Sequence, residues 1–230
     1  SRFNYAKLSY ELGFQDIALN EMKKYLNDYP NSEYDTEAKE ILVSLLANTN
    51  NFADALQLYE SFDKPTPSMQ KVYPRILYGR AVELINDQQI KRADELLTKV
   101  LALPNSAVTP YTNFWKGEIA YRNSEYDNAI RYLSLYMQAN VAAQGEANKN
   151  TANYDLGYSW LQKENYAKAL TFFEQITTSV AVTSSPMEQD AYVRSADCYF
   201  MKSDFTKANG MYDNVINNAL LQSDYAMFQK

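Results

Sequence analysis

The chain has no histidine and a single cysteine among its 230 residues. Without histidine, most catalytic triads, most zinc sites and the commonest general base near neutral pH are excluded. The lone Cys198 rules out an internal disulfide. It sits in the apolar helical stretch Ala196-Asp197-Cys198-Tyr199-Phe200, where a buried, inert thiol is expected. Only six glycines occur, and none belongs to a phosphate-cradling GxxxxGK[ST] or GxGxxG motif. No apolar run approaches the roughly 18 residues of a membrane span, and no basic amphipathic helix suggests surface binding. The longest basic runs are pairs such as Lys23-Lys24 and Lys91-Arg92, in a chain of net charge −6. Nucleic-acid binders concentrate positive charge, so nucleic acid is not an expected partner. Acidic pairs such as Asp94-Glu95 lie on polar faces and read as solvated charge. The expectation is a protein that is not an enzyme, with no metal and no cofactor.

What is present is periodicity. Alanines at Ala18, Ala55, Ala93, Ala129, Ala169 and Ala208 recur at nearly even spacing along the whole chain. Three residues earlier stands Phe52, Ile90, Tyr126, Tyr166 or Phe205, with Gln15 the exception. Four residues later come Met22, Tyr59, Leu97, Leu133, Phe173 and Tyr212; seven later come Tyr25, Phe62, Val100, Tyr136, Ile176 and Val215. Offsets of three, four and seven place these side chains on one helix face.

A second small position precedes each alanine by twelve residues: Ala6, Val43, Ala81, Gly117, Gly157 and Ala196. Short polar turns such as Arg122-Asn123-Ser124-Glu125 and Gln162-Lys163-Glu164-Asn165 lie between the two. Antiparallel helices approach closely where side chains are small, and aromatic residues fill the space around that contact. Helix starts are written at Ser185-Pro186-Met187-Glu188, which reads as a capping box with proline in the first turn. Thr66-Pro67 and Thr109-Pro110 are similar starts, and Ser32-Glu33-Tyr34-Asp35 is a weaker capping box. The one β-like run, Val180-Ala181-Val182-Thr183, falls between repeats, so an all-α chain is predicted.

This pattern resembles the tetratricopeptide repeat family over almost the whole chain. The best copy runs Asn153-Tyr154-Asp155-Leu156-Gly157-Tyr158-Ser159-Trp160, then Asn165-Tyr166-Ala167-Lys168-Ala169-Leu170-Thr171-Phe172-Phe173. The copies at Phe114–Tyr136 and Tyr192–Val215 are close to it, and the first three are more diverged. Gly79 stands two residues out of register with the small position at Ala81, and the spacing exceeds the family's usual period of about 34 residues. The resemblance implies a right-handed α-α superhelix, a solenoid of about six helix-turn-helix repeats in a single domain. The repeats are placed at 1–31, 32–66, 67–108, 109–145, 146–184 and 185–219, with the start of a further helix at 220–230. A chain that opens on Ser1-Arg2-Phe3 and ends in half a repeat is expected to be a piece of a longer array. Its open C-terminal end offers a surface for self-association. The wording Tyr25-Leu26-Asn27-Asp28-Tyr29-Pro30-Asn31-Ser32-Glu33-Tyr34 is similar in style to repeats of bacterial envelope proteins, which points towards the periplasm or cell envelope.

In this family the first helix of each pair lines the concave side. Residues fifteen and eleven before each alanine would then face a groove: Tyr78 and Val82, Phe114 and Glu118, Tyr154 and Tyr158, Val193 and Asp197, with Tyr121 and Arg194 close by. An aromatic groove with a few charges suits a protein or peptide partner. The same tyrosines also suit packing between helices. The lysine and asparagine set with which some such domains clamp a terminal carboxylate is not found at these positions. The expected function is a non-catalytic interaction scaffold holding a peptide or partner protein. The alternative is a glycan-binding protein on the same kind of scaffold.

Overall fold

A computed structural model describes all 230 residues and contains thirteen α-helices and no strand. They are α1 (Arg2–Glu11), α2 (Gln15–Asp28), α3 (Asp35–Asn48), α4 (Phe52–Glu60), α5 (Pro67–Asn86), α6 (Ile90–Ala102) and α7 (Thr109–Arg122). There follow α8 (Tyr126–Ala139), α9 (Lys149–Gln162), α10 (Tyr166–Ile176), α11 (Pro186–Met201), α12 (Phe205–Asn217) and α13 (Ser223–Gln229). No helix is long and apolar enough to cross a membrane. Two compact units divide the chain, Ser1–Thr112 and Asn113–Lys230. In the first, each helix from α1 to α6 packs on the next, and α3 also touches α1 and α5. In the second the same holds from α8 to α13, with α9 also touching α11.

The small positions do what their size allows. Ala6, Ala18, Val43, Ala55, Ala81, Ala93, Ala129, Ala169, Ala196 and Ala208 are all fully buried. Four residues after each second-helix alanine, Met22, Leu97, Leu133, Phe173 and Tyr212 are buried completely, and Tyr59 nearly so. At Gly157 a β-carbon would lie 2.6 Å from the Phe173 ring, so only glycine admits that aromatic. Gly79 has a different duty, which explains its register: a β-carbon there would meet the ring of Phe52 at 2.5 Å. Phe52 opens α4, the second helix of the preceding pair, so Gly79 makes room for the joint between pairs.

Every turn within a helix pair has the same backbone form. Five residues before each repeat alanine stand Gly13, Asn50, Gln88, Ser124, Glu164 and Ser203, all with φ between 57° and 82°. The next residue's N–H reaches back to a carbonyl five residues earlier, as in Asn51 to Leu46, Gln89 to Leu84 and Asn165 to Trp160, at 2.8, 2.8 and 2.9 Å. This is the Schellman ending, which satisfies helix carbonyls that would otherwise lack a donor. Five of the six turns adopt the left-handed conformation without glycine.

At the helix starts, Ser185 forms the expected capping box. Its hydroxyl accepts from Glu188 N–H at 3.3 Å, and Glu188 accepts from Ser185 N–H at 2.7 Å. Thr66 caps α5 in the same sense. The box expected at Ser32 is absent. Helix α3 is preceded by Tyr34 without a side-chain cap, and the Ser32 hydroxyl is instead 2.7 Å from the phenol of Tyr25. A nearby tyrosine competes for the hydroxyl that local sequence assigns to the backbone. Cys198 is fully buried, and burial pushes its thiol up to about 12, so it stays protonated.

Candidate functional site

The expected groove residues divide between the two units. In the first, Tyr78 and Val82 lie on α5; Tyr78 is buried, its ring centroid 6.3 Å from that of Tyr111, and Val82 is half-buried. In the second, Phe114 of α7 is completely buried, edge-on to Trp115 and Tyr136, and offers no surface. Val193 is likewise fully buried. Half-buried residues remain on α7, α9 and α11: Tyr121, Tyr154, Tyr158, Arg194 and Asp197.

One carboxylate gathers this set. Asp190, in the first turns of α11, accepts from the phenols of Tyr154 at 2.8 Å and Tyr158 at 2.5 Å through the same oxygen. Its other oxygen accepts from the Gln222 amide at 2.5 Å and lies 3.4 Å from Arg194 Nε. Burial works against its charge, but these donors outweigh it and hold Asp190 below the usual carboxylate range. For the tyrosines the signs add. Burial first, then the bond to Asp190, pushes Tyr154 up to about 12 and raises Tyr158 further, so both remain neutral donors.

Arg194 extends the network. Its guanidinium donates to Asp197 at 2.5 Å and to the Gln222 carbonyl at 2.6 Å, and lies 4.8 Å above the Tyr225 ring of α13. Asp197 also accepts from the Tyr212 phenol at 2.6 Å. Every charge here is answered by a partner, as partly buried charge requires. Beside the network the Tyr121 and Tyr158 rings are 6.4 Å apart, and the Tyr154 and Tyr158 rings 4.9 Å. Fixed hydroxyls and close rings leave these side chains little rotational freedom.

A second carboxyl pair lies deeper. Glu118 of α7 is nearly buried and paired with Arg122 at 2.7 Å, while Asp155 of α9 is 3% exposed. Glu118 Oε2 and Asp155 Oδ2 have no hydrogen-bond donor. Burial, reinforced by a bond to Glu118 and that residue's charge, raises the Asp155 carboxyl far above its ordinary range. A neutral Asp155 donating to Glu118 satisfies both oxygens with one proton.

The sequence reading missed Asp190, Gln222 and Tyr225. For Asp190 a signal existed: it stands four residues before Arg194, the spacing of a helical ion pair. Nothing local ties Gln222 or Tyr225 to Arg194, because they come from outside its helix.

Residues 190–219 match the tetratricopeptide repeat family model. No curated protein matches the chain by sequence. Among solved structures, the chain is similar to the C-terminal part of a TPR repeat-containing protein from Cytophaga hutchinsonii. The identity is 16% and the TM-score 0.53, with 94% of this chain and 78% of that one covered. It is also similar to YrrB, described as a TPR protein with an unusual peptide-binding site, at 18% identity and TM-score 0.54. That match covers 85% of this chain and 91% of the other. BtubC from P. vanneervenii aligns at 15% identity and TM-score 0.50, over 90% and 88% of the two chains. The chain therefore has the all-α fold of tetratricopeptide-repeat proteins, and its residues 190–219 are such a repeat by sequence as well.

Proposed function

We propose that this protein is a non-catalytic interaction scaffold whose second unit binds a peptide or a helix of a partner protein. The binding face comprises Tyr121, Tyr154, Tyr158, Arg194 and Asp197, with Val82 as the half-buried counterpart in the first unit, while Glu118 and Tyr78 are buried beneath the surface, each within its own unit. The observation that carries this reading is the anchoring of Tyr154 and Tyr158 on Asp190. Half-buried rings held by their own hydroxyls present apolar area without losing rotamer freedom when a partner arrives. Such aromatic anchors, with an arginine beside them, are the residue types that dominate binding energy at interfaces. The peptide-binding site ascribed to YrrB, on the same fold, supports the reading.

The test is a pull-down from source cells with the chain as bait, alongside Tyr154→Ala/Tyr158→Ala and Tyr154→Phe/Tyr158→Phe variants. Circular dichroism checks that each remains folded. A partner captured by the parent, lost with the alanine pair and weakened with the phenylalanine pair is the expected result. Undiminished capture by a folded alanine pair would remove this face from the function.

A further inference from the structure

We infer that the first unit carries a separate small-molecule site: a cleft at the start of α5 that takes an aromatic carboxylate. The cleft has a volume of about 720 Å³, within the range of ligand pockets. It owes its existence to a break in the repeat. Helices α3, α7 and α9 have 14 residues each, whereas α5 has 20. All four end at the same distance before their repeat alanine, so the extra length of α5 lies at its start. These turns overhang, and the connection after α6 forms the facing wall through Leu103, Pro104, Asn105 and Ser106.

The walls are preformed. Four of the chain's seven prolines line the cleft: Pro65, Pro67, Pro74 and Pro104. Their locked φ angles reduce the ordering that a ligand would have to impose. Also in the lining, Tyr59 and Tyr73 stack with centroids 4.0 Å apart and planes 6° from parallel. Glu40 of α3 anchors the overhang by accepting from the hydroxyls of Thr66 and Ser68. Flat proline and tyrosine surfaces suit a planar ring better than a flexible chain.

The charge selects the ligand's other end. No acidic residue lines the cleft, and Lys71 is the lining residue with a fixed charge. Around the cleft Glu40, Glu60 and Asp63 stand against Lys64, Lys71 and Lys99, a balance of zero, so Lys71 in the lining itself sets the preference. Two of these acids are already engaged, Glu60 by Lys99 at 4.0 Å and Glu40 by the hydroxyls of Thr66 and Ser68. A lysine as the charged group of the lining favours an anion there. Asn105 and Ser106 add hydrogen-bonding capacity beside it. The site stands on its own residues and does not depend on the partner-binding face.

Calorimetric titration with 3-phenylpropionate tests the site, with 3-phenylpropionamide as its uncharged twin and NMR shifts at Tyr59, Tyr73 and Leu103 locating the contact. The acid is expected to saturate and the amide to bind about tenfold more weakly, the size of a charge-assisted contact. Lys71→Gln should bring the acid down to the amide's affinity and leave the amide unchanged. Asn105→Asp, on an exposed loop, should weaken the acid selectively. Absence of saturation, equal affinity for acid and amide, or shifts confined to residues 113–230 would each overturn the proposal.

Discussion

The α-carbon of Gly157 lies so close to Phe173 that a β-carbon on it would sit 2.6 Å from the ring, against 2.5 Å between the same atom on Gly117 and Leu133. The pair α9–α10 is therefore held at a separation that a single methyl group would increase.

Gly157→Ala should destabilise the second unit by about 1–3 kcal/mol, because Phe173 is enclosed and cannot yield. Gly210, in the middle of α12, has nothing within 4 Å of the equivalent position. Gly210→Ala should stabilise by roughly 0.5–1 kcal/mol through helix propensity alone. Both tryptophans, Trp115 and Trp160, lie in the second unit, so urea unfolding followed by tryptophan fluorescence reads the two effects. Equal effects of the two substitutions would refute the close-approach account.

The turn residue Gln88 holds φ at 60° without being glycine. A side chain in that region costs on the order of 1–2 kcal/mol, and glycine avoids most of this cost. Gln88→Gly should therefore raise stability by about 0.5–1 kcal/mol, once glycine's greater freedom in the unfolded chain is subtracted. The gain would be seen as a higher Tm by circular dichroism, and Gln88→Val should lower it. A β-branched residue tolerated there without loss would mean that the turn changes form.

Asp155 makes stability depend on pH in an unusual direction. Its carboxyl is raised far above its ordinary range in the fold, by burial first and then by Glu118, while the unfolded chain titrates near the ordinary 3.8. Between those values the folded state holds a proton that the unfolded state has released. Stability should then fall as pH rises through this window, by up to about 1.4 kcal/mol per unit from this group. Asp155→Asn keeps a donor to Glu118 without needing the proton. The variant should match the parent near pH 4 and exceed it by on the order of a few kcal/mol at pH 8, measured by urea unfolding. A parent and variant with parallel pH profiles would show that Asp155 is ionised in the fold.

Much of the architecture was legible in residue spacing. Helix pairing follows from two small positions twelve residues apart, with large apolar residues four and seven beyond the second. Period and side-chain volume are properties of the chain itself. The capping box at Ser185 was equally readable, because its partners stand three residues apart. Ser32 shows where that local rule stops: its hydroxyl meets Tyr25 once α2 and the following loop fold together.

The repeat, the helix pairs and the apolar faces are thus written in residue order alone, since these depend on contacts within a few helical turns. Packing between helices settled what each opening helix shows to solvent. Phe114 and Tyr154 both stand fifteen residues before their alanines, yet one is enclosed by Trp115 and Tyr136 and the other half-buried on Asp190. It also decided that one aspartate gathers two phenols and an amide, and that an overhang at α5 opens a cleft. Each of these depends on which neighbour arrives from elsewhere in the chain. A repeat pattern that specifies the size of a position leaves its neighbour unspecified.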